Sequence, residues 1–124
     1  MDRRDIEDLF RAAGSIQIKR MFGGHGVFAD GLMFALEAYG EIYLKTDVES
    51  LPLFEARGLK PFVFASQRGE MITSYRLLPD EAHEDAAVLR EWRNIAKQAA
   101  LRASLGKSKR AGRVRSADSR KPAS

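Results

Sequence analysis

Chemistry-bearing residue types are densest between Arg20 and His25, where a cation, two large apolar side chains, a glycine pair and one of only two histidines occupy consecutive positions. Extended by Gly26, the run Gly23-Gly24-His25-Gly26 has the composition of a phosphate cradle. Such a cradle needs its glycines to open a helix, so that converging amides hold the anion. Here the strand-like stretch Val27-Phe28-Ala29 follows instead. The glycines therefore read as a tight turn or bulge that serves backbone geometry. Arg20 and His25 beside that turn still have the chemistry of an anion site, and Lys45 is a third cation that folding could bring to them. An enzyme acting on a small anion at this turn is accordingly one functional reading.

Other reaction classes find no residues to carry them. His25 and His83 stand far apart, with no carboxylate pattern of metal-ligand type beside either, so no metal site is expected. The chain has no cysteine, which excludes disulfides, thiolate metal sites and thiol nucleophiles. No serine sits in a nucleophile elbow with a base partner. Glu84-Asp85 reads as a helix start favoured by the dipole, not as a catalytic pair. The expectation is no catalytic residue, no cofactor and no metal. Arg20, Met21, Phe22, Gly23, Gly24 and His25 form instead a candidate interaction surface, with Phe22 as apolar anchor and Arg20 as charged rim. Against it stands the tendency of aromatic residues at strand ends to fill cores, which applies equally to Tyr43, Tyr75 and Trp92.

The 124 residues, 44% of them hydrophobic, suffice for one domain with a single core. The N-terminus lacks the apolar segment of a secretory signal, and no apolar run approaches the length of a membrane span, so a cytoplasmic protein is expected. The net charge of +4 is unevenly spread: residues 106–124 hold seven Lys/Arg and one Asp, leaving fourteen Lys/Arg against sixteen Asp/Glu in residues 1–105. After Gly106 apolar residues nearly vanish, a composition that cannot offset the entropy of ordering. The reading is one domain over 1–105 and a disordered basic tail over 106–124. Lys107, Lys109, Arg110, Arg113 and Arg115 in that tail could neutralise phosphates and give salt-dependent, non-specific nucleic-acid binding, though no aromatic is present for base stacking.

Around these residues the hydrophobic spacing defines the elements. Ile6, Leu9, Phe10 and Ala13 make the stripe of a short helix that ends at Gly14. Ile16 and Ile18 begin a strand toward Met21, and Val27-Phe28-Ala29 and Leu32 to Leu36 flank the hairpin turn Asp30-Gly31. Glu41 to Lys45 resumes the alternation after Tyr39-Gly40. A short helix over Ser50 to Arg57 precedes a second hairpin, Pro61 to Phe64 and Met71 to Leu77, around a polar loop from Ser66 to Glu70. From about Asp85 the positions Val88, Leu89, Trp92, Ile95, Ala96, Ala99 and Ala100 mark the longest helix. Strands grouped antiparallel predict an α+β domain: one antiparallel sheet of about six strands, in the order α-β-β-β-β-α-β-β-α.

The run from Arg20 to Phe28, followed by Asp30-Gly31-Leu32-Met33-Phe34-Ala35, resembles the signature opening of the TfoX/Sxy N-terminal domain family. Ile42-Tyr43-Leu44-Lys45-Thr46-Asp47, Gly58-Leu59-Lys60-Pro61-Phe62, Ser74-Tyr75 with Leu78-Pro79, and Trp92 continue the likeness in order and spacing, over roughly residues 3–104. The resemblance implies a non-enzymatic regulatory domain. Relatives act in switching on natural competence genes beside a cyclic-AMP-dependent transcription activator. Full-length regulators of the family carry a further helical domain where this chain has its Lys/Arg-rich segment. Two readings of function stand ahead of the anion enzyme: a module that binds another protein, possible partners including the transcription apparatus, and a nucleic-acid accessory protein that uses the basic segment.

Overall fold

Asp2 and Asp5 begin the chain's first helix by capping it reciprocally. The Asp2 carboxylate accepts from the Asp5 amide at 2.9 Å, and the Asp5 carboxylate accepts from the Asp2 amide at 3.1 Å. This helix, α1 (Arg3–Phe10), buries Ile6 and Phe10 and tightens into a 3₁₀ turn over Arg11–Ala13. The computed structural model describes the backbone of residues 1–21 and 23–118 and the side chains as far as Gly106. Phe22, residues 119–124 and the side chains beyond Gly106 lie outside the described residues.

Six strands follow as one antiparallel sheet: β1 (Gln17–Met21), β2 (Gly24–Ala29), β3 (Leu32–Ala38), β4 (Glu41–Lys45), β5 (Pro61–Ser66) and β6 (Gly69–Leu77), in the order β1-β2-β3-β4-β6-β5. Two of its turns, Asp30-Gly31 and Tyr39-Gly40, have positive φ at both central residues, the geometry whose twist matches that of antiparallel strands. The expected polar loop from Ser66 to Glu70 is shorter than its composition implied. Ser66 pairs with Gly69 and Ala65 with Glu70, leaving only Gln67 and Arg68 in the turn. Ladder hydrogen bonds need no apolar side chains, so an exposed hairpin stays paired to its tip.

α2 (Leu51–Ala56) and α3 (Ala86–Asp118) complete the expected α+β order. A further 3₁₀ turn over Asp80–His83 was not anticipated. Asp85 caps α3 through its side chain, accepting from the Ala87 and Val88 amides at 2.9 and 3.3 Å, as its position before the helix implied. α3 runs through Asp118, past the expected domain boundary at residue 105.

The core lies between the sheet and the helices. Ile6 and Phe10 of α1, Phe54 of α2 and Leu89, Ala96 and Ala100 of α3 join Ile18, Val27, Ala35 and Leu44 of the strands. A bulge sets the β2–β3 register: Val27 faces Ala35 but Phe28 faces Met33, so Phe34 is the extra residue. It joins Ala35 in the core, its ring edge-on to Phe10 at 5.5 Å. Trp92 packs edge-on against Phe54 at 4.9 Å and ties α3 to α2. A second apolar cluster, built from strand residues alone, joins Leu36, Ala38 and Phe62 with Met33, Tyr43, Phe64 and Tyr75. Burial pushes the Tyr75 hydroxyl up to about 12, and among the described residues its one bond is a long donation to the Met33 carbonyl at 3.4 Å.

Arg102 anchors α3 to the segment before α2. Its Nε and Nη2 donate to the two Asp47 carboxylate oxygens at 2.5 and 3.0 Å, and Nε lies 3.2 Å from Glu49. The Arg102 hydrogen bonds hold the Asp47 carboxyl down at about 2 against an ordinary 3.8, outweighing partial burial. A carboxyl lowered on folding stabilises above its unfolded pKa, and that stabilisation fades as pH falls through the folded one, here from about 4 toward about 2. Both side chains are partly solvent-exposed, at 35% and 20%, so screening limits the gain. Arg102→Met should lower stability by about 1 kcal/mol at neutral pH and by far less near pH ~2. Urea unfolding at the two pH values measures the difference, and an equal loss at both would remove the pair as its cause.

Candidate functional site

Antiparallel pairing places Arg20 of β1 opposite His25 of β2, and His25 opposite Glu37 of β3. The three side chains form a cross-strand row two positions beyond Ile18, Val27 and Ala35, at the end of the core face where the apolar layer stops. His25 and Glu37 are both buried. The His25 Nδ1 lies 2.7 Å from Glu37 Oε1, and Glu37 Oε2 accepts from the Gly40 amide at 3.1 Å. Both carboxylate oxygens are thus engaged, one by the histidine and one by the turn that follows β3. Two buried polar groups satisfy each other, as burial requires.

A cavity of about 580 Å³ opens over this row. Arg20, His25, Glu37, Tyr39 and the α1 start, Asp2 and Arg3, line it. Arg3 donates to the Ile18 carbonyl at 3.1 Å, which ties α1 to β1 at the cavity edge. Arg20 is exposed and makes no ion pair among the described residues.

The glycine run resolves into separate geometric needs. Gly23 alone lies in the turn and has φ +77°. The expectation that Gly24, His25 and Gly26 also belong to a turn or bulge is corrected: all three are strand residues of β2. Gly24 is buried, and a Cβ there would stand 2.0 Å from the Glu37 carbonyl oxygen. A Cβ on Gly26 would meet the Met21 sulfur at 2.5 Å, with Phe28 and Met33 close behind. No helix begins at the run, so its amides are not arranged as a phosphate cradle.

Of the six residues of the candidate surface, Arg20 and Gly23 are exposed, Met21 is half-buried, Gly24 and His25 are buried, and Phe22 lies outside the described residues. Lys45 does not join Arg20 and His25. It projects from the opposite face of the sheet, bonded to Ser74 Oγ at 2.7 Å and lying 5.3 Å over the Tyr75 ring. His83 is exposed in the 3₁₀ turn, and among the described residues no group of three metal-ligating side chains occurs. The basic side chains Lys107, Lys109, Arg110, Arg113 and Arg115 lie outside the described residues. Sequence reasoning missed Glu37 and Tyr39. The available signal for Glu37 was a single acid inside the apolar strand Phe34-Ala35-Leu36-Glu37-Ala38, since a charge at a buried position must find a partner.

A six-stranded antiparallel sheet with α1 and α3 on one face, and a buried His–Glu pair at one corner, defines a small α+β domain. Residues 8–100 match the TfoX N-terminal domain, and the chain belongs to that family. No curated protein matches the chain. Among the described residues no helix is long and apolar enough to cross a membrane.

Proposed function

We propose that the chain is a non-enzymatic regulatory module that binds a protein partner through the corner at Arg20, Met21 and Gly23. The match to the TfoX N-terminal domain over residues 8–100 carries this reading. The buried His25–Glu37 pair supports it by tying β2 to β3 and the β3–β4 turn next to that corner, and the exposed Arg20 supplies an uncommitted guanidinium at the rim. Arginine at the edge of an apolar anchor is a common source of interface energy.

Immobilised full-length chain should retain a partner from whole-cell extract, and Arg20→Ala should reduce the recovery about tenfold. Equal recovery by the variant would remove this corner as the docking site. Nuclease treatment in a parallel arm separates the second reading. A captured species lost with the nucleic acid would transfer the interaction to the basic segment from Lys107 to Arg115.

A further inference from the structure

Tyr39 occupies a backbone position that its side chain does not suit. Its φ is +56°, in the left-handed region, and it shares the β3–β4 turn with Gly40. Asparagine, aspartate or glycine fills such a position without strain, whereas a bulky residue there is an outlier. Nothing in the packing rewards the choice, because the residue is 86% exposed. Backbone strain retained at an exposed aromatic is the kind of feature that points to a bound partner. Tyr39 stands on the wall of the cavity over the Arg20–His25–Glu37 row.

The polar groups of that cavity are biased toward an anion. Its two acids are already committed: Glu37 to His25 and Gly40, Asp2 to the α1 cap. Its cations are less so. Arg20 has no ion-pair partner among the described residues, and Arg3 has one donation to a carbonyl. His25 is nine-tenths buried, and with Nδ1 on Glu37 its Nε2 has no hydrogen-bond partner among the described residues. The two guanidinium groups in the lining are of the kind that recognises phosphate oxygens through charge-assisted hydrogen bonds. The exposed ring of Tyr39 offers a stacking surface, and every nucleobase has a π-face to place on it. The volume, about 580 Å³, falls in the range of small-molecule sites.

From these groups together we infer that the cavity binds a mononucleotide, with its phosphate held by Arg20 and Arg3 and its base stacked on Tyr39. The inference does not depend on the protein-partner reading, since purified chain alone decides it.

Calorimetric titration of the full chain with adenosine monophosphate, adenosine and inorganic phosphate provides the test. Adenosine monophosphate should bind at least about tenfold more tightly than either of the others, because it alone uses both halves of the site. Arg20→Ala, at an exposed position, should weaken it about tenfold. Tyr39→Asn should bring its affinity down to that of phosphate while raising the melting midpoint by about 3 °C, since asparagine suits the turn. Loss of binding in a more stable variant separates a ligand contact from a folding defect. No heat with adenosine monophosphate at millimolar concentration, or binding that both variants leave unchanged, would overturn the assignment.

Discussion

Gly24→Ala should destabilise the domain by more than about 3 kcal/mol, a large share of the 5–15 kcal/mol that holds a typical domain together. The added Cβ would lie 2.0 Å from the Glu37 carbonyl oxygen, 3.1 Å from its carbon and 3.3 Å from the Ala38 Cα. All three atoms are backbone, so no side-chain rotation relieves the overlap. β3 is held on both sides by β2 and β4, so its main chain can retreat only by breaking ladder hydrogen bonds. Gly23→Ala, one residue earlier, provides the contrast. Nothing lies within 4 Å of its Cβ, and only the φ of +77° opposes it, a penalty of about 1 kcal/mol. Urea unfolding of both variants measures the difference. Equal losses would show that β2 does not need its close approach to β3.

The same glycines show how far the sequence could be read. The alternation of apolar residues in β2, β3 and β4, the Asp30-Gly31 turn and the stripe of α3 all express local periodicity, and the architecture follows from them. Register does not. The bulge that places both Phe34 and Ala35 in the core depends on how β2 and β3 fit against α1 and α3, and no local rule announces it. That register nonetheless decides which residues meet at the candidate site. It brings Glu37, twelve residues away, onto His25, and the sheet's alternation sends Lys45 to the other face. A list of plausible cations near a glycine run thus contained two of the cavity's residues, one that points elsewhere, and not the acid that organises the corner. Tyr39 was hidden for a related reason: Tyr39-Gly40 reads correctly as a turn, and the strain of a tyrosine in it appears only once φ is known.

Glu37→Ala should cost about 3 kcal/mol or more through a mechanism distinct from steric overlap. It leaves the buried His25 Nδ1 and the Gly40 amide without their acceptor, and removing one member of a buried polar pair exposes the full desolvation penalty of the other. Glu37→Gln separates hydrogen bonding from charge. Its amide oxygen can accept from Gly40 while its NH₂ donates to Nδ1 of a neutral His25, so the loss should shrink to about 1 kcal/mol. The exchange also has a chemical signature. Beside glutamate, neutral His25 must carry its proton on Nδ1, whereas beside glutamine it must carry it on Nε2. Imidazole nitrogen chemical shifts report which nitrogen is protonated, and urea unfolding reports the energies. If Glu37→Ala were as stable as the parent chain, or if the glutamine variant kept its proton on Nδ1, the pair would not be the element that fixes this corner. His25 also lines the cavity, so the tautomer decides whether a neutral His25 presents a lone pair or a proton to whatever enters it.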